Sequence, residues 1–586
     1  MYRSLHLLLL LLNVLHTKSS WPALAPELCV VPTTTQIKPT STCSDASSST
    51  SNCAAPIAYV NAQIGEIEDI QLLLRKSIDQ DDTIGGLTNV SIAVNNLPSF
   101  ITYTTYRVGY VYTNHSPRYP GSGGGWRPDP LLPIRNKPFN VPPSITQPLY
   151  VSFTIQRNAN PGKYNGSITI KCTLSDATSC PALNVPVSIH IFNATLPKLS
   201  NTNLGSAWSG SWNPETFQDY YPAATYNNTK HDWFDLMLNA RMPPDSIYLT
   251  KARNYSDYKY MGSKGVKWFA IMDVSALPLT ASLNATSTEN TIVPHNGHVK
   301  VKGSCANFTK AYVTRMINIL RPIVNQLTKD NLLESAYIYG FDENPISCEP
   351  QVRQLFDATK AAFPKLKTAA VLNWSPMPID LPVDIWILQY EEFNATDVTQ
   401  WIQAGKQQWQ YHCIEPHDLA SLNTFIERPG MQNRLMMWLG ALNYLKYGAP
   451  TGWLYYAVNL WRPCNNPLCF KNYTKTPLIQ NYSTPMVDFP VGNYIWQGEF
   501  NDIFVNGDGQ YLYPCEDGMP CGSIRLNQLR DGLEDWDGLF VAAKKTEKGR
   551  KLAITLIEEM VRGPRDWGFT GERRMEEIRG LVAELV

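Results

Sequence analysis

The sequence predicts a multidomain protein: an N-terminal antiparallel β-sandwich, then a (β/α)8 TIM barrel, then a small α-rich C-terminal extension. Three observations predict it. The chain of 586 residues exceeds what one hydrophobic core holds. Apolar residues alternate with period two across 56–198, the pattern of half-buried strands. Beyond Pro197, short apolar runs alternate with amphipathic stretches, as they do in α/β architectures.

Two segments precede the sandwich. Arg3 leads an apolar run from Leu5 to Leu15, and Ser19 and Ser20 follow it. Residues 1–20 therefore read as a secretory signal peptide, too short to cross a bilayer comfortably. Residues 21–55 are rich in Ser and Thr and read as a tether. In the sandwich, 56–198, Val151, Phe153 and Ile155 alternate with polar neighbours, as do Ile168 and Ile170, then Val185, Val187, Ile189 and Ile191. The stretch "NANPGKYNG" turns between two such runs. The glycines of "YPGSGGGWRPDPLLP", from Tyr119, do not make a phosphate loop: no Lys-Ser/Thr follows, and the prolines disfavour a helix. A long rigid loop reaching toward a neighbouring domain is expected there.

The barrel, 199–505, rests on eight candidate strands at 204–208, 246–250, 267–274, 336–342, 368–374, 384–390, 408–413 and 452–461. Helices are expected at 306–328, 350–363 and 430–447. A doubly wound sheet shares this alternation; the count of eight favours the barrel. The extension, 506–586, holds a short strand in "GDGQYLYP" and helices from Ser523, at 548–561 and at 572–586, expected to pack on the barrel.

Composition narrows the partners. With 50 basic and 50 acidic side chains, nothing draws the chain to nucleic acid or an anionic membrane. No later run reaches ~18 uninterrupted apolar residues, so no integral membrane segment is expected. The 12 cysteines and the sequons at Asn89, Asn114, Asn165, Asn193, Asn227, Asn254, Asn284, Asn307, Asn373, Asn394, Asn472 and Asn481 fit a secreted or lysosomal protein. Pro117 and Pro376 directly follow the sequons of Asn114 and Asn373 and disfavour them. Close spacing predicts disulfides Cys172–Cys180, Cys464–Cys469 and Cys515–Cys521, with Cys43–Cys53 a looser pairing. No Cys-x-x-Cys occurs, and His295 and His298 bracket an Asn-Gly turn signal. Neither a metal site nor a cofactor is expected.

In a barrel, chemistry sits at the carboxyl ends of the strands. Those ends carry Trp208, Asp273, Asp342 with Glu343, Asn373 with Trp374, Tyr390 with Glu391 and Glu392, Tyr411 with His412, and Asn459 with Trp461. Carboxylates among aromatic platforms and amides fit glycoside hydrolysis. The sharpest signal is "SAYIYGFDENP", Ser335 to Pro345. Strand parity puts Ile338, Gly340 and Asp342 on one face, so Asp342 enters the barrel mouth if that face is the inner one. Two carboxylates this close resist joint ionisation, and one pKa should rise, as a general acid requires. Adjacent side chains cannot straddle a sugar ring at the ~5 Å of an acid and a nucleophile. That points to substrate assistance, in which a 2-acetamido group attacks its own anomeric carbon. Adjacent acids also occur at Glu68–Asp69, Asp81–Asp82, Glu516–Asp517 and Glu534–Asp535, where they read as solvated or capping pairs. Core packing is the competing reading for Trp208, Tyr390, Tyr411 and Trp461, and a structural histidine for His412. Glu391 and Glu392 also fit the start of a helix near 396.

The chain resembles glycoside hydrolase family 123, the β-N-acetylgalactosaminidases. The resemblance rests on "RPDPLLP", "NANPGKYNGSITI", "YIYGFDENP", "NRLMMWLGALNYLKYGAPTGWLYYAVNLW", "GDGQYLYP" and "SIRLNQLRDGLEDW", spread over about 127–536. It implies a sandwich before a barrel and retaining, metal-free hydrolysis through an oxazoline-type intermediate. It implies that Asp342 positions the acetamido group and that Glu343 is the acid/base. Tyr390, Tyr411 and Trp461, with Trp208, Asn373 and Asn459, are the expected substrate-binding residues of a β-GalNAc-terminated glycan or glycolipid. The Ser/Thr-rich start, the sequons and the cysteines depart from the bacterial pattern and imply a eukaryotic secreted or lysosomal form. Three alternatives stay open: a β-N-acetylglucosaminidase, a double-displacement glycosidase with Glu391 or Glu392 as nucleophile, and a non-catalytic glycan-binding protein on the same scaffold.

Overall fold

A computed structural model describes residues 26–46, 57–76, 86–113, 125–135, 137–174, 179–202, 205–208, 223–245, 247, 249, 251–277, 292–295, 298–301, 308–413, 415–416, 418–455, 511–514, 519–568 and 571–586. The N-terminal domain is a sandwich of two five-stranded sheets. One runs β1 (Glu27–Val31), β3 (Ile67–Arg75), β8 (Thr146–Ile155), β5 (Ile101–Thr113), β6 (Gly125–Pro133). The other runs β2 (Ala58–Ile64), β10 (Leu183–Thr195), β9 (Gly162–Leu174), β4 (Leu87–Asn95), β7 (Phe139–Val141). All pairs are antiparallel except β2 with β10. The predicted alternation fills the space between the sheets: Val151, Phe153, Ile155, Ile168, Ile170, Val185, Val187, Ile189 and Ile191 share one buried cluster.

Three expectations about this domain are corrected. Part of the 21–55 tether is ordered: β1 pairs along β3, and Thr33 and Thr34 donate to the Glu572 carboxylate. Cys43 pairs with Cys29, not Cys53; Ser/Thr-rich composition hid a short strand that a disulfide holds down. The segment expected to be a rigid loop is the edge strand β6, where Pro128, Pro130 and Pro133 need give up no interior ladder bond. It does reach the neighbouring domain: the Leu131 N–H donates to the Gly522 carbonyl (3.0 Å), and Asp129 accepts from Arg525 (2.8 Å) and Tyr513 (2.5 Å). The Cys172–Cys180 disulfide is present as expected. Cys53, Cys464, Cys469 and Cys515 lie outside the described residues.

The second domain is built on a seven-stranded parallel sheet, in the order β11 (Gly205–Trp208), β19 (Gly452–Tyr455), β18 (Gln407–His412), β17 (Ile385–Gln389), β16 (Lys367–Val371), β15 (Ala336–Asp342), β12 (Phe269–Asp273). A hairpin of β13 (Ile292–His295) and β14 (His298–Val301) flanks the Asn-Gly between the two histidines. Helices α1 (Ala223–Asn239), α2 (Tyr255–Ser263), α3 (Lys310–Lys329), α4 (Glu349–Ala362), α5 (Ala395–Gln403) and α6 (Met431–Tyr447) lie between the strands in sequence. The (β/α)8 barrel is thus realised in part. The sheet curls, yet among the described residues it does not close. Of the expected second strand, 246–250, residues 246, 248 and 250 lie outside the described residues. The Leu249 carbonyl accepts from the Asp273 N–H of β12 (2.7 Å).

The concave face of the sheet holds Trp268, Ala270, Tyr337, Tyr339, Ala369, Val371, Ile385, Ile387, Trp409, Tyr411 and Leu454; the convex face packs on the helices through Phe269, Ile271, Ile338, Leu320, Val352 and Phe356. The Trp409 ring meets Trp268 and Tyr337 edge-on and lies directly over Gly452. A Cβ on Gly452 would enter the indole. Gly452→Ala is expected to destabilise the protein by about 1–3 kcal/mol through overpacking, read as a lowered urea midpoint.

Helices α7 (Ile524–Asp535), α8 (Glu547–Glu558) and α9 (Glu572–Ala583) pack on α6 and share its apolar cluster with Phe192 and Ala194 of β10. They join the domains rather than merely covering the sheet. Here Glu68–Asp69 and Glu534–Asp535 overturn their expected role as solvated pairs, because all four side chains are buried. Arg579 donates to Glu66 (2.7 Å), Asp535 (2.5 Å) and Glu576 (2.8 Å) and pairs with Glu68 (2.6 Å). Arg434 reaches Glu68 (3.1 Å) and Asp535 (2.8 Å), and Arg530 reaches Asp69 (2.9 Å) and Asp531 (2.6 Å). The other two pairs of adjacent acids, Asp81–Asp82 and Glu516–Asp517, lie outside the described residues.

Candidate active site

The site begins with an irregularity shared by two neighbouring strands. In β12, Ile271 and Met272 are consecutive yet both face the helices, and the register to β15 shifts between Ala270 and Asp273. In β15, Ile338 and Phe341 face the helices, and so does the Cα of Gly340, where a Cβ would meet Val274 (3.2 Å) and Phe356 (3.5 Å). The register to β16 shifts between Tyr339 and Asp342. Each strand thus spends one extra residue on its convex side, as a β-bulge does.

Simple parity is corrected in consequence. Ile338 lies on the convex face, so a regular strand would carry Asp342 there too. The bulge at Gly340–Phe341 returns Asp342 to the side of Tyr339, whose hydroxyl donates to Asp342 Oδ1 (2.9 Å). The backbone bears strain to do this: Phe341 has φ 65° and Glu343 φ 56°, left-handed values that cost non-glycine residues about 1–3 kcal/mol and cluster at functional sites. Glu343 is pinned by its N–H to the Val371 carbonyl (2.8 Å), and the next residue by Trp374 Nε1 to the Asn344 carbonyl (2.7 Å).

Glu343 is exposed and Asp342 half-buried. The Tyr411 hydroxyl donates to Glu343 Oε1 and accepts from Asn373 Nδ2 (3.2 Å). The Gln389 N–H donates to Asn373 Oδ1 (3.2 Å), which fixes the amide so that its NH2 faces the tyrosine. Burial, then the Glu343 carboxylate, pushes the Tyr411 hydroxyl above its ordinary range, so it stays a donor. Asp273, at the end of β12, accepts from the Ser275 N–H (2.9 Å) and hydroxyl (2.7 Å). Burial pushes its carboxyl up to about 7 against those hydrogen bonds, with the Asp342 charge adding to the rise.

Asp342, Glu343, Asn373 and Tyr411 are therefore brought together. Tyr390 is not with them: it is buried, and its hydroxyl donates to the Leu422 carbonyl beside Trp453. His412 is buried and structural. Its Nδ1 accepts from Trp453 Nε1 (2.9 Å), its Nε2 meets the Tyr511 hydroxyl (3.0 Å), and burial lowers its pKa to about 3. Glu391 is held by Arg565 (2.9 Å) and Ser421 (3.2 Å), and Glu392 is exposed in the turn Tyr390–Glu392. Trp208 ends β11, but its side chain lies outside the description, as do Asn459 and Trp461. Sequence reasoning missed Tyr339 and Ser275. The only signal for Tyr339 was a glycine after an aromatic inside a strand, which marks a bulge. Among the described residues, no group of three or more His, Cys, Asp or Glu side chains could hold a metal ion, and no helix is long and apolar enough to cross a membrane.

A curled parallel sheet that presents two tyrosine-held carboxylates at its carboxyl edge supports one class of protein, a glycoside hydrolase. Residues 270–541, which include Asp342, Glu343, Asn373 and Tyr411, match the family model described as glycoside hydrolase 123, catalytic domain. A family 123 glycoside hydrolase from Clostridium perfringens, whose structure was analysed for glycolipid glycan hydrolysis, has the same fold: TM-score 0.63 at 12% identity, over 96% of this chain and 96% of that one. A Bifidobacterium dentium β-glucuronidase complexed with coumarin-3-O-glucuronide aligns over 81% of this chain and 65% of that one at 8% identity, with a TM-score of 0.26, too low for a shared overall fold. No curated protein sequence matches the chain.

Proposed function

We propose that this protein is a secreted, exo-acting β-N-acetylhexosaminidase that removes terminal β-linked N-acetylgalactosamine from glycans or glycolipids by retaining, substrate-assisted catalysis. The observation that carries the reading is the bulge in β15, which turns Asp342 to the concave side next to Glu343. Two carboxyls on consecutive residues serve one reacting sugar best if each has its own task. Asp342 accepts from the acetamido N–H and aims the amide oxygen at the anomeric carbon. As that oxygen bonds to carbon, the glycosidic C–O bond breaks and Glu343 gives its proton to the departing oxygen. Glu343 then takes a proton from the water that opens the oxazoline, so configuration is retained. Asn373 and Tyr411 hold Glu343 in place through a directed hydrogen-bond chain. The hydrolysis of glycolipid glycans by the Clostridium perfringens enzyme and the disulfides Cys29–Cys43 and Cys172–Cys180, which suit an oxidising compartment, support the substrate class and the secretory route.

Double displacement by Glu391 is disfavoured by its engagement with Arg565 and Ser421. A panel of aryl β-glycosides with and without the 2-acetamido group tests the proposal. Turnover is expected only with the 2-acetamido sugars, faster for GalNAc than GlcNAc, and a thiazoline mimic of the intermediate is expected to inhibit. Cleavage of sugars lacking the acetamide, or binding of GalNAc glycans without turnover, would overturn it.

A further inference from the structure

We propose that Ser275, oriented by Asp273, is a positioning residue that aims Asp342 by holding the left-handed backbone at Phe341. The inference rests on the catalytic reading above and concerns residues to which that reading gives no part. The Phe341 N–H, in a backbone conformation unfavourable for phenylalanine, donates to Ser275 Oγ (3.1 Å). The serine hydroxyl is itself directed, since its proton goes to Asp273 Oδ1 (2.7 Å) and the same carboxyl oxygen accepts the Ser275 N–H (2.9 Å). A lone pair of Oγ is thereby turned toward Phe341.

The segment that carries Ser275 is fixed from both sides. The Val274 N–H donates to the Tyr339 carbonyl (2.8 Å), while the Tyr312 hydroxyl of α3 donates to the Val274 carbonyl (2.8 Å) and accepts from the Leu277 N–H (3.1 Å). The Phe341 ring stands edge-on to Phe356 (5.6 Å) and Phe308 (6.1 Å), so both its ring and its N–H are held. Asp342 follows directly, and its direction depends on the Phe341 backbone. Asp273 and Ser275 thus form a clamp between two bulged strands, and the clamp sets where a neighbouring carboxylate points.

The test compares Ser275→Ala and Ser275→Thr with the parent protein on an aryl 2-acetamido glycoside. Ser275→Ala should lower kcat by about 10²-fold, the scale of a ~1 Å misplacement, with a smaller change in KM, and should weaken inhibition by the thiazoline. Ser275→Thr, which keeps the hydroxyl, should recover most of both. Alanine activity equal to the parent's overturns the clamp alone and leaves the catalytic reading standing. A threonine variant that folds, by circular dichroism and thermal melting, yet stays as impaired as alanine also overturns it. If the parent hydrolyses no 2-acetamido glycoside, the catalytic reading fails first and this inference with it.

Discussion

Replacing Glu343 with Gln is expected to slow hydrolysis of an aryl β-GalNAc substrate by about 10²–10⁴-fold, the usual worth of a positioned general acid. The loss should be smallest with a good leaving group, which departs without a proton, and largest with an alkyl or sugar aglycone. Gln keeps the acceptor that Tyr411 addresses and, on an exposed side chain, should leave folding intact. The rate loss therefore isolates proton transfer. Substituting Asp342 by Asn should instead lower kcat with a weaker dependence on the leaving group, because Asp342 acts on the acetamido group and gives no proton to the departing oxygen. A Glu343→Gln variant with unchanged turnover would reject the assignment.

The second large effect is on stability. Arg579→Met is expected to destabilise the protein by about 3–5 kcal/mol, because it removes one partner from buried ion pairs. Glu66, Glu68, Asp69, Asp531, Glu534 and Asp535 are all buried, against Arg434, Arg530 and Arg579. Carboxyls outnumber guanidiniums in this cluster. Burial raises Glu66, Glu68, Asp531 and Glu534 above the ordinary carboxylate range. Burial also opposes the ionisation of Asp535, yet Arg434 and Arg579 hold it below that range. A raised carboxyl binds its proton more tightly folded than unfolded, so stability falls as pH rises from the ordinary range, near 4, through the raised values. Asp273, pushed up to about 7, adds to the same trend. His412, lowered to about 3 by burial, works in the opposite sense but is one group against five raised carboxyls. Urea midpoints should thus be higher at pH 5 than at pH 7.5, and the Arg579→Met deficit smaller at pH 5, where the orphaned acids can take up protons. A deficit equal at both pH values would contradict this account.

Much of this was legible in the sequence, and the failures have physical causes. Period-two alternation found the sandwich because one face of each strand is wet, and the acid pair at Asp342–Glu343 stood out at the end of an apolar run. Parity misjudged Tyr339, because counting by twos assumes a regular strand and β15 is bulged at Gly340–Phe341. The strand Glu27–Val31 was lost in polar composition; its order depends on Cys29–Cys43 and on β3, neither of which is local. Glu68–Asp69 and Asp535 looked solvated because their counter-ions come from distant segments, Arg434, Arg530 and Arg579. Most of the expected strand at 246–250 lies outside the described residues; Leu249, within them, offers its carbonyl to β12.

The distance of those counter-ions along the chain has a consequence for biosynthesis. Arg579 lies 513 positions after Glu66, and Arg530 lies 461 after Asp69. At a translation rate of about 5–20 residues per second, β3 leaves the ribosome roughly 25–100 s before Arg579 exists to neutralise it. During that interval the sandwich carries acids that it can bury only as neutral, protonated groups. The domain made first is therefore the one that must wait to be completed, and a nascent chain stalled before α9 should keep that edge of the sandwich open to chaperones.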